Sequence, residues 1–420
     1  MYALVDCNNF YVSCERLFNP QWEKKPVIVL SNNDGCAVAR SEEAKAIGIK
    51  MGAPEFMIKD MIREHGIVVR SSNYTLYGDI SGRVMRTLST FVPRIELYSI
   101  DEAFLDLHDM PHYDLQQLAL KIKRVVGQCV GIPVSIGVAP TKTLAKMANR
   151  YAKKNMRDIG VFYPQTEEQM YAMLQFTAVE DIWGVGGQYA AMLRSNGFNT
   201  AADLRNAPDD WIRQHMTVVG ERLLSELRGI AAIEWEFETP KKKNICTSRS
   251  FGKLLTEKKD IREALSTYAS RCAEKLRKQD SCCKTVHVFL HTNGFRTQDK
   301  QYSVAIDIKV ERATNDTGTI VKYASKALDI IFKEGFNYVK CGCIVMDLVP
   351  ADCIQNTLFG SNDNTKRKKL MKAVDGINKA TGVKDTVRMA VQGFSKVYAM
   401  RCDYLSKRFT TNINEIKLIK

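Results

Sequence analysis

Three carboxylates in two separated stretches carry the strongest chemical signal in this chain. Asp6 ends the apolar run Tyr2 to Val5, and Asp101 and Glu102 are adjacent within Tyr98-Ser99-Ile100-Asp101-Glu102-Ala103-Phe104-Leu105-Asp106-Leu107. Short apolar runs flank the pair, so it reads as a hairpin whose tip lifts both acids off a sheet. Clustered carboxylates raise one another's pKa unless a cation lies between them, and hard oxygen donors suit Mg²⁺. The chemistry of such a set is two-metal phosphoryl transfer, in which the ions share their shells with substrate phosphates. An isolated Asp-Glu pair is most often an ordinary turn. The third acid, and the stretches around it, separate this pair from that default.

The elements that must hold these acids follow from the apolar patterning. Tyr2 to Val5 is a strand, and Cys7-Asn8-Asn9-Phe10-Tyr11 turns into a helix with Cys14, Leu17 and Phe18 at helical spacing. Ile132 to Ala139 is a second apolar strand, after which Pro140-Thr141 opens a helix. Its apolar stripe is Leu144, Ala148 and Tyr151, and Lys142, Lys146, Arg150 and Lys153 form a basic stripe beside it. Ala39 to Lys45 reads as a loop entering a helix, where backbone N–H groups and basic side chains suit a triphosphate. Further on, Ile182-Trp183-Gly184-Val185-Gly186-Gly187, a helix, and Gly197 to Leu204 have the form of a helix-hairpin-helix. Glycines there let the backbone approach a DNA phosphate.

Composition bounds the rest. At 420 residues, with 45% hydrophobic and 26% charged side chains, the chain is of ordinary globular make-up and long enough for about three domains. No apolar run is long enough to span a bilayer and the first residues lack a basic leader, so a cytoplasmic protein is expected. The net charge is +14, and residues 241 to 300 alone hold 15 Lys or Arg against 6 Asp or Glu. Residues 1 to 100 hold 12 against 11. The basic field is therefore local, as phosphate-backbone binding requires. The twelve cysteines show no Cys-x-x-Cys, and Cys341, Cys343 and Cys353, or His287 and His291, read as buried thiols and a strand-borne pair rather than zinc ligands. Beyond the linker Pro240-Lys241-Lys242-Lys243 the order is strand (247–254), helix (260–278), strand (284–290), strand (301–308), helix (319–333), strand (338–349), a split βαβ pattern.

The run Ala3-Leu4-Val5-Asp6-Cys7-Asn8-Asn9-Phe10-Tyr11, with Ser99-Ile100-Asp101-Glu102-Ala103-Phe104, closely resembles the two catalytic motifs of the Y-family, or translesion, DNA polymerases. Leu30-Ser31-Asn32-Asn33-Asp34-Gly35-Cys36 and Ser71-Ser72-Asn73-Tyr74 are similar to stretches typical of its bacterial UmuC-like branch. The resemblance covers nearly the whole chain. It implies an α+β multidomain, right-hand polymerase: a ferredoxin-like palm (1–19 and 71–165), small fingers (20–70), a helical helix-hairpin-helix thumb (166–232), a linker (233–245), a split-βαβ little finger (246–350), and a C-terminal tail (351–420).

The implied activity is template-directed synthesis across damaged DNA, at low fidelity, without proofreading, within an SOS-type damage response. By the same resemblance Asp6, Asp101 and Glu102, with the Cys7 carbonyl, would hold two Mg²⁺ ions. Phe10, Tyr11, Arg40, Lys45 and Lys153 would face the incoming nucleotide, Tyr11 as the ring that excludes a ribose 2′-hydroxyl. Many relatives carry Tyr and Arg where this chain has Glu42 and Lys45, so Glu42 is expected to point away from the phosphates. Gly184, Gly186 and Gly187 would meet duplex phosphates, as would Arg249 and Lys253, with Arg271, Lys275 and Arg277 as further candidates. Gln355-Asn356-Thr357-Leu358-Phe359 resembles a sliding-clamp peptide, with Gln355, Leu358 and Phe359 as its contacts. The tail is tied in the family to partner proteins, which implies a UmuD′-like accessory dimer and a RecA-like filament, and a bacterial, nucleoid-associated setting when active. A nucleotidyl cyclase can share the metal acids but has no use for a helix-hairpin-helix or a basic segment downstream. A catalytically silent DNA-binding scaffold would not need all three acids.

Overall fold

The apolar run at the start of the chain becomes the strand Tyr2–Cys7, third in a five-stranded sheet of the order Ile95–Leu97, Glu102–Asp106, Tyr2–Cys7, Val134–Ala139, Val161–Phe162. A strand in that position is buried on both faces and must be apolar on both. Ala3, Val5 and Cys7 enter the core beneath the helices Tyr74–Leu88 and Leu115–Val130, whereas Tyr2 and Leu4 enter a second core with the helix Lys142–Asn155 and the helices that follow it. The two-residue period sends Asp6 to the second face, beside Phe104 and Leu4 rather than Val5. This computed structural model describes residues 1–110, 112–236, 240–353, 364–381, 385–394 and 396–416.

The fingers stretch has a sheet of its own, ordered Ala37–Arg40, Val27–Leu30, Val68–Ser71, around a small core of Ile28, Leu30, Ala37, Ile49 and Ile67. The thumb stretch is built from the helices Glu167–Phe176, Gly187–Ser195, Ala201–Arg205 and Asp209–Leu227. Thr200 and Asp203 form a reciprocal capping box at the third of these.

Contacts divide the chain into two units, Met1–Thr239 with Asp403–Lys420, and Pro240–Cys402. The second unit is a four-stranded antiparallel sheet ordered Ser303–Thr314, Ser281–Thr292, Tyr338–Met346, Ile245–Leu255. Its first and second strands in chain order flank the last one, which is the split βαβ arrangement. The helices Lys258–Lys278 and Thr317–Ile331 share its core. The helix Asn364–Ala380 is tied to the first of them by Arg277, whose guanidinium grips Asp375 at 2.6 and 2.8 Å.

Some expectations are refined here. The first half of the stretch read as a linker is pinned to the first unit: Ile233 N–H donates to Glu226 and Glu236 N–H to Glu96. The tail does not stay together either, since its end belongs to the first unit. The clamp-like peptide, Gln355 to Phe359, lies outside the described residues. All twelve cysteines are free thiols, His287 is paired with Asp307 and His291 with Ser303. Among the described residues no helix is long and apolar enough to cross a membrane.

Candidate active site

Antiparallel register sets Asp6 directly opposite Glu102. The Cys7 N–H donates to the Asp101 carbonyl at 2.9 Å, so all three acids arrive on two neighbouring strand ends. Ser99 holds the turn that carries Asp101. Its hydroxyl accepts from the N–H groups of Asp101 and Glu102 at 3.2 and 3.0 Å and donates to Asp101 Oδ1 at 2.6 Å.

The helix Lys142–Asn155 lies over this end of the sheet because the strand beneath it lacks a side chain at one point. A Cβ on Gly137 would come within 2.0 Å of the Asn149 backbone nitrogen and 2.4 Å of the Ala145 carbonyl oxygen. Helix and strand therefore touch backbone to backbone. From that position Lys153 Nζ sits 2.6 Å from Asp6 Oδ1 and Lys146 Nζ 3.1 Å from Glu102 Oε1. Lys146 also lies over the rings of Tyr98 and Trp183, at 4.1 and 5.3 Å from their centroids.

Burial pushes the Asp6 carboxyl up to about 6, against the pull of Lys153 and with repulsion from Glu102 and Asp101 added. A carboxyl so placed is short of positive charge. Among the described residues no three acid, His or Cys side chains converge on one point: Asp6 and Glu102 are turned to lysines and Asp101 to Ser99. The donor set nonetheless fits a hard divalent cation, because it offers carboxylate oxygens on rigid strand ends with two ammonium groups standing in for the missing charge.

Below this, Asn9 takes a left-handed conformation at φ 47° and starts the helix Phe10–Leu17. Phe10 is buried. Tyr11 is half-buried, stacked on Tyr77 at 4.5 Å and 15° and edge-on to Tyr74 at 5.9 Å, and burial raises its phenol pKa. Lys45 from the fingers donates to Asn9 Oδ1 at 2.6 Å and to Glu42 Oε1 at 2.5 Å, and Asn9 Nδ2 donates to Glu42 at 3.2 Å. Glu42 is thus turned toward Asn9 of the palm and paired with Lys45. Burial works against its ionised form, but the hydrogen bonds from Lys45 and Asn9 outweigh it and hold the carboxyl below its usual range. Arg40 is engaged within the fingers, donating to the Ile49 carbonyl at 2.6 Å.

In the thumb, Gly184 has φ 93°, a left-handed geometry that favours glycine. A Cβ at Gly184, Gly186 or Gly187 would meet nothing within 4 Å, so this backbone is uncovered. In the second unit Arg249 and Lys253 are exposed along the strand Ile245–Leu255. Arg249 donates only to the neighbouring Ser248 carbonyl among the described hydrogen bonds, whereas the further basic candidates are held by other side chains: Arg271 is paired with Glu274 and Asp385, Lys275 donates to Thr247, and Arg277 holds Asp375. Sequence reasoning placed Lys146 in the basic stripe without giving it a role. Its spacing of seven from Lys153, two helical turns on one face, was the available signal. Gly137 and the partners of Tyr77 left no local signal at all.

Family models place this chain with known proteins. Residues 5–150 match the impB/mucB/samB family and residues 242–358 its C-terminal domain, while residues 368–419 match a domain of unknown function. The chain is 41% identical to Protein UmuC of Salmonella typhimurium over 425 aligned residues, covering 100% of each. It is 26% identical to DNA polymerase IV of Treponema denticola, over 90% of this chain and 93% of that one. Among solved structures, the Y-family DNA polymerase chimera Dbh-Dpo4(243-245)-Dbh superposes with a TM-score of 0.66 at 20% identity, over 83% of this chain and 99% of the other. With full-length identity at that level and three carboxylates on adjoining strand ends of a polymerase-like fold, the chain belongs to the impB/mucB/samB family of UmuC-like, Y-family translesion DNA polymerases.

Proposed function

We infer that this chain extends a primer along damaged template DNA by nucleotidyl transfer, and that Asp6, Asp101 and Glu102 are the acids that make the transfer possible. The observation that carries this reading is the register of Asp6 against Glu102 with Asp101 in the adjoining turn. Two Mg²⁺ ions, held by these carboxylates and the Cys7 carbonyl, would supply Lewis-acid activation of the primer 3′-hydroxyl and charge neutralisation on the departing pyrophosphate. Lys153 and Lys45 offer cationic groups to the triphosphate once their carboxylate partners are otherwise engaged. Tyr11 forms the floor beneath the sugar, where a fixed aromatic face leaves no room for a 2′-hydroxyl. The uncovered glycine backbone of the thumb and the exposed Arg249 and Lys253 suit duplex phosphates.

The small fingers core is consistent with copying damaged templates at low fidelity. The sliding clamp, a UmuD′-like dimer and a RecA-like filament belong to this reading as partners, and nucleoid association as its setting. Primer extension opposite an abasic site, with and without those partners, tests the reading. Asp101→Ala or Glu102→Ala should lower Mg²⁺-dependent extension at least about a hundredfold while primer-template binding stays within about twofold. Substantial synthesis by either variant would overturn the assignment, and a cyclic nucleotide product in place of extended primer would point to a cyclase.

A further inference from the structure

Two stretches set this chain apart at the sequence level without gaining a role in catalysis: residues 30 to 36, which contain Asp34, and 71 to 74, which contain Ser71 and Asn73. All three side chains are buried, and all three bind the far end of the chain. Asp34 Oδ2 accepts from the Asp403 N–H at 2.7 Å, and Ser71 Oγ from the Tyr404 N–H at 3.0 Å. The Ser71 N–H in turn donates to the Tyr404 carbonyl at 3.2 Å. Asn73 uses both ends of its amide. Its Oδ1 caps the helix Tyr74–Leu88, and its Nδ2 donates to the Ser406 carbonyl at 3.1 Å and to Ser406 Oγ at 3.0 Å. Without this segment one Asp34 oxygen, the Ser71 hydroxyl and the Asn73 amide nitrogen would lose these partners, and buried polar groups are rarely left unpaired.

The contact continues inward. Ser406 Oγ donates to Glu15 Oε1 at 2.8 Å, and the same oxygen accepts from the Tyr77 hydroxyl at 2.8 Å. Glu15 is fully buried, at 0% exposure, so its relief from desolvation comes through such partners together with the charge of Arg70. Tyr77 is the ring on which Tyr11 stacks. A few residues on, Phe409 stacks on Phe18 at 4.7 Å and 13°, fixing the segment to the end of the helix that carries Tyr11.

We propose that the C-terminal segment 403–416, part of the region whose family model is a domain of unknown function, is a clasp that docks on its own chain's polymerase unit and positions the sugar-excluding Tyr11 through Ser406, Glu15 and Tyr77. The contacts that carry this role are with Asp34, Ser71, Asn73, Glu15 and Phe18 and not with the three acids, so the segment acts as a positioning element. It sets the stiffness of the ring beneath the sugar. Losing the Ser406 hydroxyl leaves Glu15 with one donor fewer and frees Tyr77 to shift, which opens space for a 2′-hydroxyl. This role rests on the reading of Tyr11 as the sugar gate, whereas the docking itself does not.

The test uses the full chain in four forms: wild type, Ser406→Ala, Ser406→Thr and Tyr11→Ala. Single-nucleotide insertion compares ribonucleotide with deoxynucleotide kcat/KM in Mg²⁺. Ser406→Ala should raise the ribonucleotide share roughly three- to tenfold, as expected for loss of one charge-assisted hydrogen bond. Ser406→Thr, which keeps the hydroxyl, should stay within about twofold of wild type, and Tyr11→Ala should rise furthest. An unchanged ratio in Ser406→Ala beside a raised one in Tyr11→Ala overturns the clasp. An unchanged ratio in Tyr11→Ala overturns the gate and this role for the tail together. Hydrogen exchange on the wild type reads the docking separately: protection of the Asp403 and Tyr404 amides is expected, and exchange at unstructured-peptide rates would overturn it. Should Ser406→Ala fail to fold, Ser71→Ala removes the acceptor for Tyr404 and carries the same expectation.

Discussion

At the scale of single residues, buried carboxylates are where this protein departs from an ordinary core. Glu15 is fully enclosed, and burial raises its carboxyl above the usual range although Tyr77 and Ser406 donate to it. A carboxyl raised on folding keeps its proton in the native state over a window where the unfolded chain has lost it. Its contribution to stability is then complete at low pH and is lost as pH rises through the folded value. Glu15→Gln keeps an acceptor oxygen but cannot ionise. The difference in unfolding free energy between wild type and Glu15→Gln should therefore move in favour of the variant as pH is raised from 4 to 8, measured by urea titration at each pH. A difference that stays constant across that range would show that Glu15 does not titrate as its burial requires.

At the scale of elements, the helix Lys142–Asn155 decides whether the acids meet their cations. Two local features seat it. Gly137 lets it touch the strand below, so Gly137→Ala forces backbone against backbone and should cost about 2–4 kcal/mol while weakening nucleotide insertion, because Lys146 and Lys153 ride on the displaced helix. At the helix start, Lys142 is buried to 1% exposure and donates to Glu96 Oε2 and to the Glu234 carbonyl, each at 2.6 Å. Glu226, also buried, accepts from the N–H groups of Thr143, Ala232 and Ile233. Together they bind the helix start to the chain leaving the thumb. Lys142→Met would strand the Glu96 carboxylate and should lower stability by about 3–5 kcal/mol, whereas replacing both Lys142 and Glu96 by apolar residues should cost much less. Chemical denaturation of the two variants distinguishes these outcomes.

For the whole molecule, the chain passes between its two units twice, once near Pro240 and once near Cys402. The basic excess of residues 241 to 300 belongs to the second unit, while the acids belong to the first. Template affinity and catalysis are then separable by salt. Raising salt should weaken primer-template binding with a slope set by the phosphates contacted, and Arg249→Ala with Lys253→Ala should flatten that slope by up to about 2 while preserving catalysis on bound DNA. The proposed recruitment by a sliding clamp is tested in a third way. Leu358→Ala with Phe359→Ala should leave distributive synthesis on short primers unchanged and remove stimulation by the sliding clamp; equal clamp affinity for wild type and the double variant would end that idea alone.

Much of this was legible in the chain itself. Asp6, Asp101 and Glu102 could be read because strand periodicity and acid type are local properties, and the split βαβ order because its runs of apolar residues are long and regular. The element ends moved by a few residues, as with the strand expected at 247–254 and found at Ile245–Leu255. What the sequence could not say was which partners long side chains would choose. Glu42 faces Asn9, Arg277 grips Asp375 and Lys146 sits on Glu102 because residues far apart in the chain were brought within a few ångströms by packing. The destination of the tail was hidden for the same reason. Asp34, Ser71 and Asn73 look like turn and cap residues in isolation, and only folding turns their spare hydrogen-bonding capacity toward Asp403, Tyr404 and Ser406, more than three hundred residues away.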